Sequence, residues 1–153
     1  MGEVGHDQQQ GDALPVHGPI LSIDWGTKRI GVALSDPHQT LAHPVGVLTR
    51  RTGRRFPLKQ LRPLVDEYRP TGVLVGLPLE ADGSEGESAA AARAAATAIR
   101  AKTQLPVLLL DERMTTARVL TAMGGTNDSR GSHTVDALAA TVLLQSYLDS
   151  LRS

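Results

Sequence analysis

The sequence predicts an α/β domain built on a five-stranded mixed sheet that is flanked by helices. Two short apolar runs, residues 20–24 and 30–34, are separated by a short turn, which favours an antiparallel pair. Two later runs, residues 72–77 and 105–110, are continuously apolar, as is typical of strands buried on both faces. The helical stretch between these later runs favours a parallel connection.

The remaining elements follow from spacing and propensity. Residues 45–48 read as a third strand that completes an opening antiparallel meander. Apolar residues then recur every three or four positions, which predicts a helix, although Pro63 should kink it or delay its start. A later stretch contains nine alanines, which favours a second helix. The predicted helices cover residues 58–68, residues 88–102, a short segment ending at Gly124 and Gly125, and the chain from about Ser132–Thr134 onwards.

The composition indicates one globular domain. Of the 153 residues, 41% are hydrophobic, which supplies a core and excludes disorder throughout. The absence of cysteine excludes a disulfide scaffold, a thiolate zinc site and a cysteine nucleophile. Since no long apolar run or signal-peptide core is found, we expect a cytoplasmic protein with no membrane partner. Residues 1–18 lack periodicity, so we expect a disordered tail before a domain spanning residues 19–153.

The net charge is zero, but basic residues are concentrated in one segment. Residues 27–62 contain eight Lys and Arg residues against Asp36 alone. Such local basicity suits the phosphate backbone of a nucleic acid, and an arginine-rich solvated surface is the alternative. An ion pair between a turn arginine and Asp36 is a further structural alternative. The cations expected to contact phosphates are Lys28, Arg29, Arg50, Arg51, Arg54, Arg55 and Arg113.

Three acidic residues stand out because they do not fall on predicted solvent faces. Asp24 ends an apolar strand, Glu112 follows a buried strand, and Asp136 lies early in an apolar helix. Because ligand crevices lie at the carboxyl ends of strands, the three carboxylates are expected to converge on Mg²⁺ or Mn²⁺. The alternatives are a helix-dipole role for Asp136 and an ordinary loop position for Glu112. Asp111 and His133 are auxiliary candidates near the same edge.

Four spaced blocks of the sequence carry a further signal. They are residues 23–36 (IDWGTKRIGVALSD), residues 75–79 (VGLPL) with 82–86 (DGSEG), residues 110–116 (LDERMTT) and residues 135–140 (VDALAA). In this order, over residues 20–149, they closely resemble the YqgF family, also called RuvX. Its members are RuvC-like Holliday-junction resolvases that are now regarded as nucleases of precursor ribosomal RNA. Three features depart from the family pattern. Trp25 stands where a Leu is usual, His133 lies in a region where basic residues are frequent, and the tail over residues 1–18 has no counterpart in the family.

The resemblance implies a ribonuclease H-like fold and places the family's acids at Asp24, Glu112 and Asp136. We therefore predict a metal-dependent phosphodiesterase with two cations bridged by Asp24. The expected substrate is precursor small-subunit ribosomal RNA, with association to ribosomal particles. The alternatives are a Holliday-junction resolvase, which needs a homodimer on branched DNA, and a non-catalytic ribosome-biogenesis factor. Actin-like sugar kinases share the Asp-x-Gly-Thr motif but need two such domains around the nucleotide.

Overall fold

The computed structural model describes residues 9–25, 29–49, 55–112 and 129–152, with the side chains of residues 9–10 and 129–136 outside that description. Within these ranges the chain forms one sheet and three helices. The strands are β1 (Gln9–Gly11), β2 (Ile20–Trp25), β3 (Arg29–Ser35), β4 (Ala42–Thr49), β5 (Gly72–Leu77) and β6 (Val107–Asp111). The helices are α1 (Leu58–Tyr68), α2 (Glu87–Thr103) and α3 (Ser129–Ser150).

The sheet is mixed and has the strand order β1-β6-β5-β2-β3-β4. Strands β2, β5 and β6 run parallel at its centre, and α2 connects β5 to β6. Strands β2, β3 and β4 form an antiparallel meander. The predicted α/β architecture and its five strands are therefore confirmed, and β1 adds a short sixth strand at the edge of β6.

The two faces of the sheet are covered by different helices. On one face, α1 and α2 pack over Leu21, Ile23 and Val75, and the small alanine side chains of α2 contribute much of this layer. On the other face, α3 packs over residues that alternate with these along the same strands, such as Ile20 and Leu74. Because the central strands are buried on both faces, their sequences are continuously apolar.

Several element boundaries differ from those expected. Helix α1 runs through Pro63 without interruption and ends at Tyr68, and the next residue, Arg69, has a left-handed backbone with φ 49°. Helix α3 begins at Ser129, three residues earlier than predicted, although Ser129 and Gly131 have low helix propensity. Strand β6 extends to Asp111, which was expected to follow the strand. The short helix predicted before Gly124 lies outside the described residues.

The prediction of a disordered tail over residues 1–18 is wrong for residues 9–18. Residues 9–11 pair antiparallel with Leu108–Leu110, and Leu14 is buried in the α3 layer. The pairing uses backbone groups, which a polar, glycine-containing sequence supplies as well as an apolar one. Without β1, the backbone N–H and C=O groups along the outer edge of β6 would lack these partners. Residues 1–8 lie outside the described residues.

Asp12 attaches this segment to the domain. Its Oδ2 atom accepts hydrogen bonds from the Val107 N–H at 3.0 Å and from Arg100 Nε at 2.8 Å. The Val107 hydrogen bond, followed by that of Arg100, lowers the pKa of Asp12 from the ordinary value of 3.8. Because the folded pKa is depressed, this stabilisation is present above the unfolded pKa and is lost as pH falls through the folded pKa.

We predict that Asp12→Ala loosens β1 from β6 without unfolding the domain. The Val107 N–H and the Arg100 guanidinium lose their shared acceptor, so amide exchange at residues 9–11 should accelerate by about tenfold. Asp66→Ala is the matched control, since it removes an exposed carboxylate that lies 4.0 Å from Arg62. Unchanged exchange at residues 9–11 in the Asp12 variant, measured by NMR at pH 7, would contradict this role.

Candidate active site

The carboxyl ends of β2, β5 and β6 form one edge of the sheet, and the acidic residues of interest lie there. In the parallel register Ile23 pairs with Val75, and Gly76 pairs with Leu110. Asp24 is therefore level with Gly76, on the neighbouring strand. Glu112 follows Leu110 by two residues, immediately beyond the end of β6. The register thus places Asp24 on one of the strands that flank Gly76, and Glu112 just beyond the end of the other.

Both of these acidic residues face α3. Side chains alternate along a strand, and Asp24 is two residues after Ser22, whose Oγ donates a hydrogen bond to the Ala140 carbonyl of α3 at 3.1 Å. Glu112 continues the series of Leu108 and Leu110, which belong to the α3 layer. The Glu112 side chain lies directly over Gly76, and only 7% of the residue is exposed. Asp24 is half-buried.

Helix α3 brings the backbone of Asp136 toward the same edge. Near the end of α3, Gln145 accepts a hydrogen bond from the Ala42 N–H, and Ala42 is level with Ser35. The Ser35 hydroxyl in turn accepts the N–H of Ile20, the first residue of β2. The end of α3 therefore lies at the amino end of β2, so the helix runs antiparallel to that strand. Asp136 comes one turn before Ala140 and lies further toward the edge that carries Asp24.

The chemistry of this edge fits a hard divalent cation. Two carboxylates on one face of the sheet supply oxygen donors, which are the ligands that Mg²⁺ and Mn²⁺ prefer. Glycine at position 76 leaves the space that the Glu112 carboxylate occupies. Among the side chains that the structure describes, no group of three His, Cys, Asp or Glu residues is close enough to hold a metal. The side chain of the third predicted ligand, Asp136, is not among them.

Among the described side chains, neither auxiliary candidate, Asp111 or His133, lies beside Asp24 and Glu112. Asp111 is 2% exposed, and strand alternation places it with Leu109 and Val107 on the face of α2, opposite Glu112. His133 lies in the first turns of α3, and its side chain is outside the described residues.

Of the predicted phosphate-binding cations, Arg29 is the one at this edge within the described residues. It begins β3 two residues before Gly31, which pairs with Asp24, so Arg29 stands on the α3 face. Asp36 follows the opposite end of β3, which excludes an ion pair between the two. Arg55 is exposed before α1. The remaining predicted cations, Lys28, Arg50, Arg51, Arg54 and Arg113, lie outside the described residues.

The Asp36 carboxylate serves the loop that leads into β4. It accepts hydrogen bonds from the backbone N–H groups of Leu41 at 2.8 Å, Thr40 at 2.7 Å and His38 at 3.1 Å. The hydrogen bond from Leu41 is the largest cause of a lowered pKa for Asp36. The Asp36 carboxylate therefore stabilises this turn through three backbone hydrogen bonds.

Sequence reasoning missed two residues that shape this edge. Ser22 reads as one polar residue in an apolar strand, yet it is fully buried and ties α3 to β2. Gly76 is a glycine in the interior of the apolar strand β5. A glycine inside a strand signals a close approach by another group, and that signal was available from the sequence.

The fold is ribonuclease H-like, as the resemblance implied. It is similar to the solved structure of T. thermophilus RuvC in complex with a Holliday junction substrate, with a TM-score of 0.52. The match covers 89% of this chain and 96% of that one, at 17% sequence identity. Because the sequence identity is only 17%, this likeness shows the fold alone.

The family is established by sequence. Residues 18–150 match the family model described as "RuvX: Holliday junction resolvase". A Rhodospirillum rubrum protein named "Putative pre-16S rRNA nuclease" is 44% identical over 145 residues, which cover 92% of this chain and 88% of that protein. A Paracoccus denitrificans protein of the same name is 38% identical over 143 residues, covering 92% and 90%. The chain belongs to the RuvX family.

We predict that Ser22→Ala lowers the free energy of unfolding by about 1 kcal/mol, because the buried hydrogen bond to Ala140 is lost. Ser146→Ala is the matched control. Its hydroxyl donates to the Val142 carbonyl within α3 itself, and the higher helix propensity of alanine offsets that loss. Urea unfolding measures both variants. An equal effect in the two would show that Ser22 does not tie α3 to the sheet.

Proposed function

We propose that this chain is a metal-dependent nuclease that processes precursor small-subunit ribosomal RNA. The observation that carries the proposal is the placement of Asp24 and Glu112 on one face of the sheet, on either side of Gly76. The relatives named for pre-16S rRNA match this chain over most of their length. Such a role would place the protein in the cytoplasm, at ribosomal particles. No helix within the described residues is long and apolar enough to span a membrane.

The proposed metal ligands are Asp24, Glu112 and Asp136, which would hold Mg²⁺ or Mn²⁺ through carboxylate oxygens. When bound, such cations activate water and stabilise the charge that develops on a phosphate in transfer. The protein's own contribution is rigidity. Asp24 lies within a core strand, and Glu112 is buried against β5.

The substrate would approach this edge through its phosphates. Arg29 lies on the same face as Asp24 and is half-buried, so it would contact a phosphate at or next to the cleaved bond. Lys28 and Arg113 would act nearby, since they adjoin Arg29 and Glu112 in sequence. The loop arginines at positions 50, 51, 54 and 55 would bind the backbone further along the substrate and give salt-dependent affinity.

A second candidate function is resolution of Holliday junctions. For either function, Asp111 and His133 remain auxiliary candidates for the site. The family description names this activity, and the RuvC structure of similar fold holds a junction. Symmetric cleavage of a four-way junction requires two active sites, so this function would need a homodimer. Both functions use the same carboxylates, and they differ in the nucleic acid and in the assembly.

We predict that Asp24→Asn, Glu112→Gln and Asp136→Asn each lower kcat for cleavage by at least about 10³-fold while the fold is retained. Because the three carboxylates act as one unit, double variants should be little worse than single ones. Cleavage of labelled RNA in Mg²⁺ or Mn²⁺, with EDTA as the blank, measures this. Asp66→Asn on α1 is the control and should cleave like the wild type.

Full activity in EDTA would exclude the metal mechanism. Retained activity in the Asp24 variant would instead show that the site has been placed wrongly. Circular dichroism of each variant separates loss of chemistry from loss of fold.

Depletion of the protein in the organism that encodes it tests which nucleic acid is the physiological substrate. We expect unprocessed small-subunit ribosomal RNA to accumulate and to disappear when the wild type, but not Asp24→Asn, is restored. Normal ribosomal RNA ends together with unresolved recombination intermediates would favour the junction. Sedimentation of the purified protein adds a check, because a strict monomer would argue against symmetric junction resolution.

A further inference from the structure

Gly76 approaches the Glu112 side chain more closely than any other residue type would allow. A Cβ atom built on Gly76 would lie 2.7 Å from Glu112 Oε1 and 3.0 Å from both Cδ and Cγ. The backbone of Gly76 is not left-handed, so glycine is not needed there for conformation. Space for Glu112 is therefore the physical reason for glycine at this position.

An alanine at this position would displace the carboxylate. Optimal contacts between non-bonded carbon atoms begin near 3.5 Å, so Glu112 Cγ and Cδ, each 3.0 Å from the added Cβ, would have to move by about 0.5 Å. Rotation of the terminal carboxylate alone does not relieve the contact, because Cγ is also only 3.0 Å away. The whole side chain would have to lift from β5. Neighbouring atoms restrict this movement, since only 7% of Glu112 is exposed.

We infer that Gly76 is a positioning residue, which lets the Glu112 carboxylate lie over β5 between the strand that carries it and Asp24. This inference rests on the proposed function, in which Glu112 is a metal ligand. Functional groups in such sites are held to within about 0.5 Å, and misplacement by about 1 Å can cost about 10²-fold in rate. A displacement of about 0.5 Å or more reaches the limit of that tolerance, so it is enough to impair the site while the fold persists.

Two other glycines provide matched controls. Gly72 lies in the same strand and on the same face, and its added Cβ would crowd apolar atoms, with Leu14 Cδ2 at 3.0 Å and Pro15 Cδ at 3.3 Å. Gly72→Ala thus reproduces crowding without a carboxylate. Gly46 lies in β4, where an added Cβ would meet nothing within 4 Å. Gly46→Ala thus tests the substitution in a strand by itself.

The experiment compares Gly76→Ala, Gly72→Ala and Gly46→Ala in the full chain. Crystal structures of the metal-free proteins locate Glu112, calorimetry measures Mn²⁺ affinity, and steady-state cleavage of precursor ribosomal RNA gives kcat and KM. In Gly76→Ala we expect Glu112 to shift by about 0.5 Å or more. Mn²⁺ should bind at least about tenfold more weakly, and kcat should fall about 10²-fold. The KM for RNA should stay within about twofold, because the phosphate contacts of the basic residues are untouched.

Wild-type Mn²⁺ affinity and kcat in Gly76→Ala, or losses no larger than those of Gly72→Ala, would overturn the inference. If the wild type neither binds Mn²⁺ nor cleaves RNA, the proposed function fails. A shifted Glu112 in the metal-free Gly76→Ala structure then still supports the positioning role, and an unshifted one overturns it.

A failure of Gly76→Ala to fold is also decisive. The double variant with Glu112→Ala lacks all three of the colliding atoms. Restored folding in that variant supports the collision as the cause, and continued misfolding overturns the inference.

Discussion

Asp24 and Glu112 lie at one edge and on one face of the sheet because β2, β5 and β6 run parallel in a fixed register. That register sets Asp24, Gly76 and Leu110 in one row across three strands, and Glu112 follows two residues later. A slip of one residue in any of these strands would turn the corresponding side chain to the opposite face. The apolar residues before each position prevent such a slip, since they fill two distinct layers. The packing of the core therefore determines the geometry of the site.

Helix α3 is the second part of this arrangement. It is held to β2 through Ser22 and to the loop before β4 through Gln145, and Arg152, two residues beyond its end, donates a hydrogen bond to the Gln39 carbonyl. These contacts fix both its direction and its distance along the sheet. They direct its first turns, with Asp136, toward the carboxyl ends of the central strands. Burying carboxylates under such a layer costs stability unless a cation or a hydrogen bond compensates, which is typical of sites built for binding or catalysis.

The sequence allowed much of this fold to be predicted, and also the position of Asp24 and Glu112 at one edge of the sheet, for reasons visible in particular residues. Residues 72–77 are apolar throughout because β5 is covered on both faces, and Asp24 is conspicuous because it interrupts such a run. Strand β1 escaped prediction because its pairing uses backbone groups alone. The separation of Asp111 from Glu112 was not predictable, because it depends on where β6 ends. Nor could sequence spacing show that Gln60 and Gln145 would satisfy the backbone of Thr49 and Ala42 along β4.

The most direct test of the central claim is anomalous diffraction from crystals soaked in Mn²⁺. We expect Mn²⁺ to be bound by the carboxylates of Asp24 and Glu112, on the α3 face of the sheet at the carboxyl ends of β2 and β6. Crystals of Asp24→Asn grown in the same way should lose that density. Manganese bound only elsewhere at a saturating concentration, with Asp24 and Glu112 free of metal, would contradict the assignment of this edge as the active site.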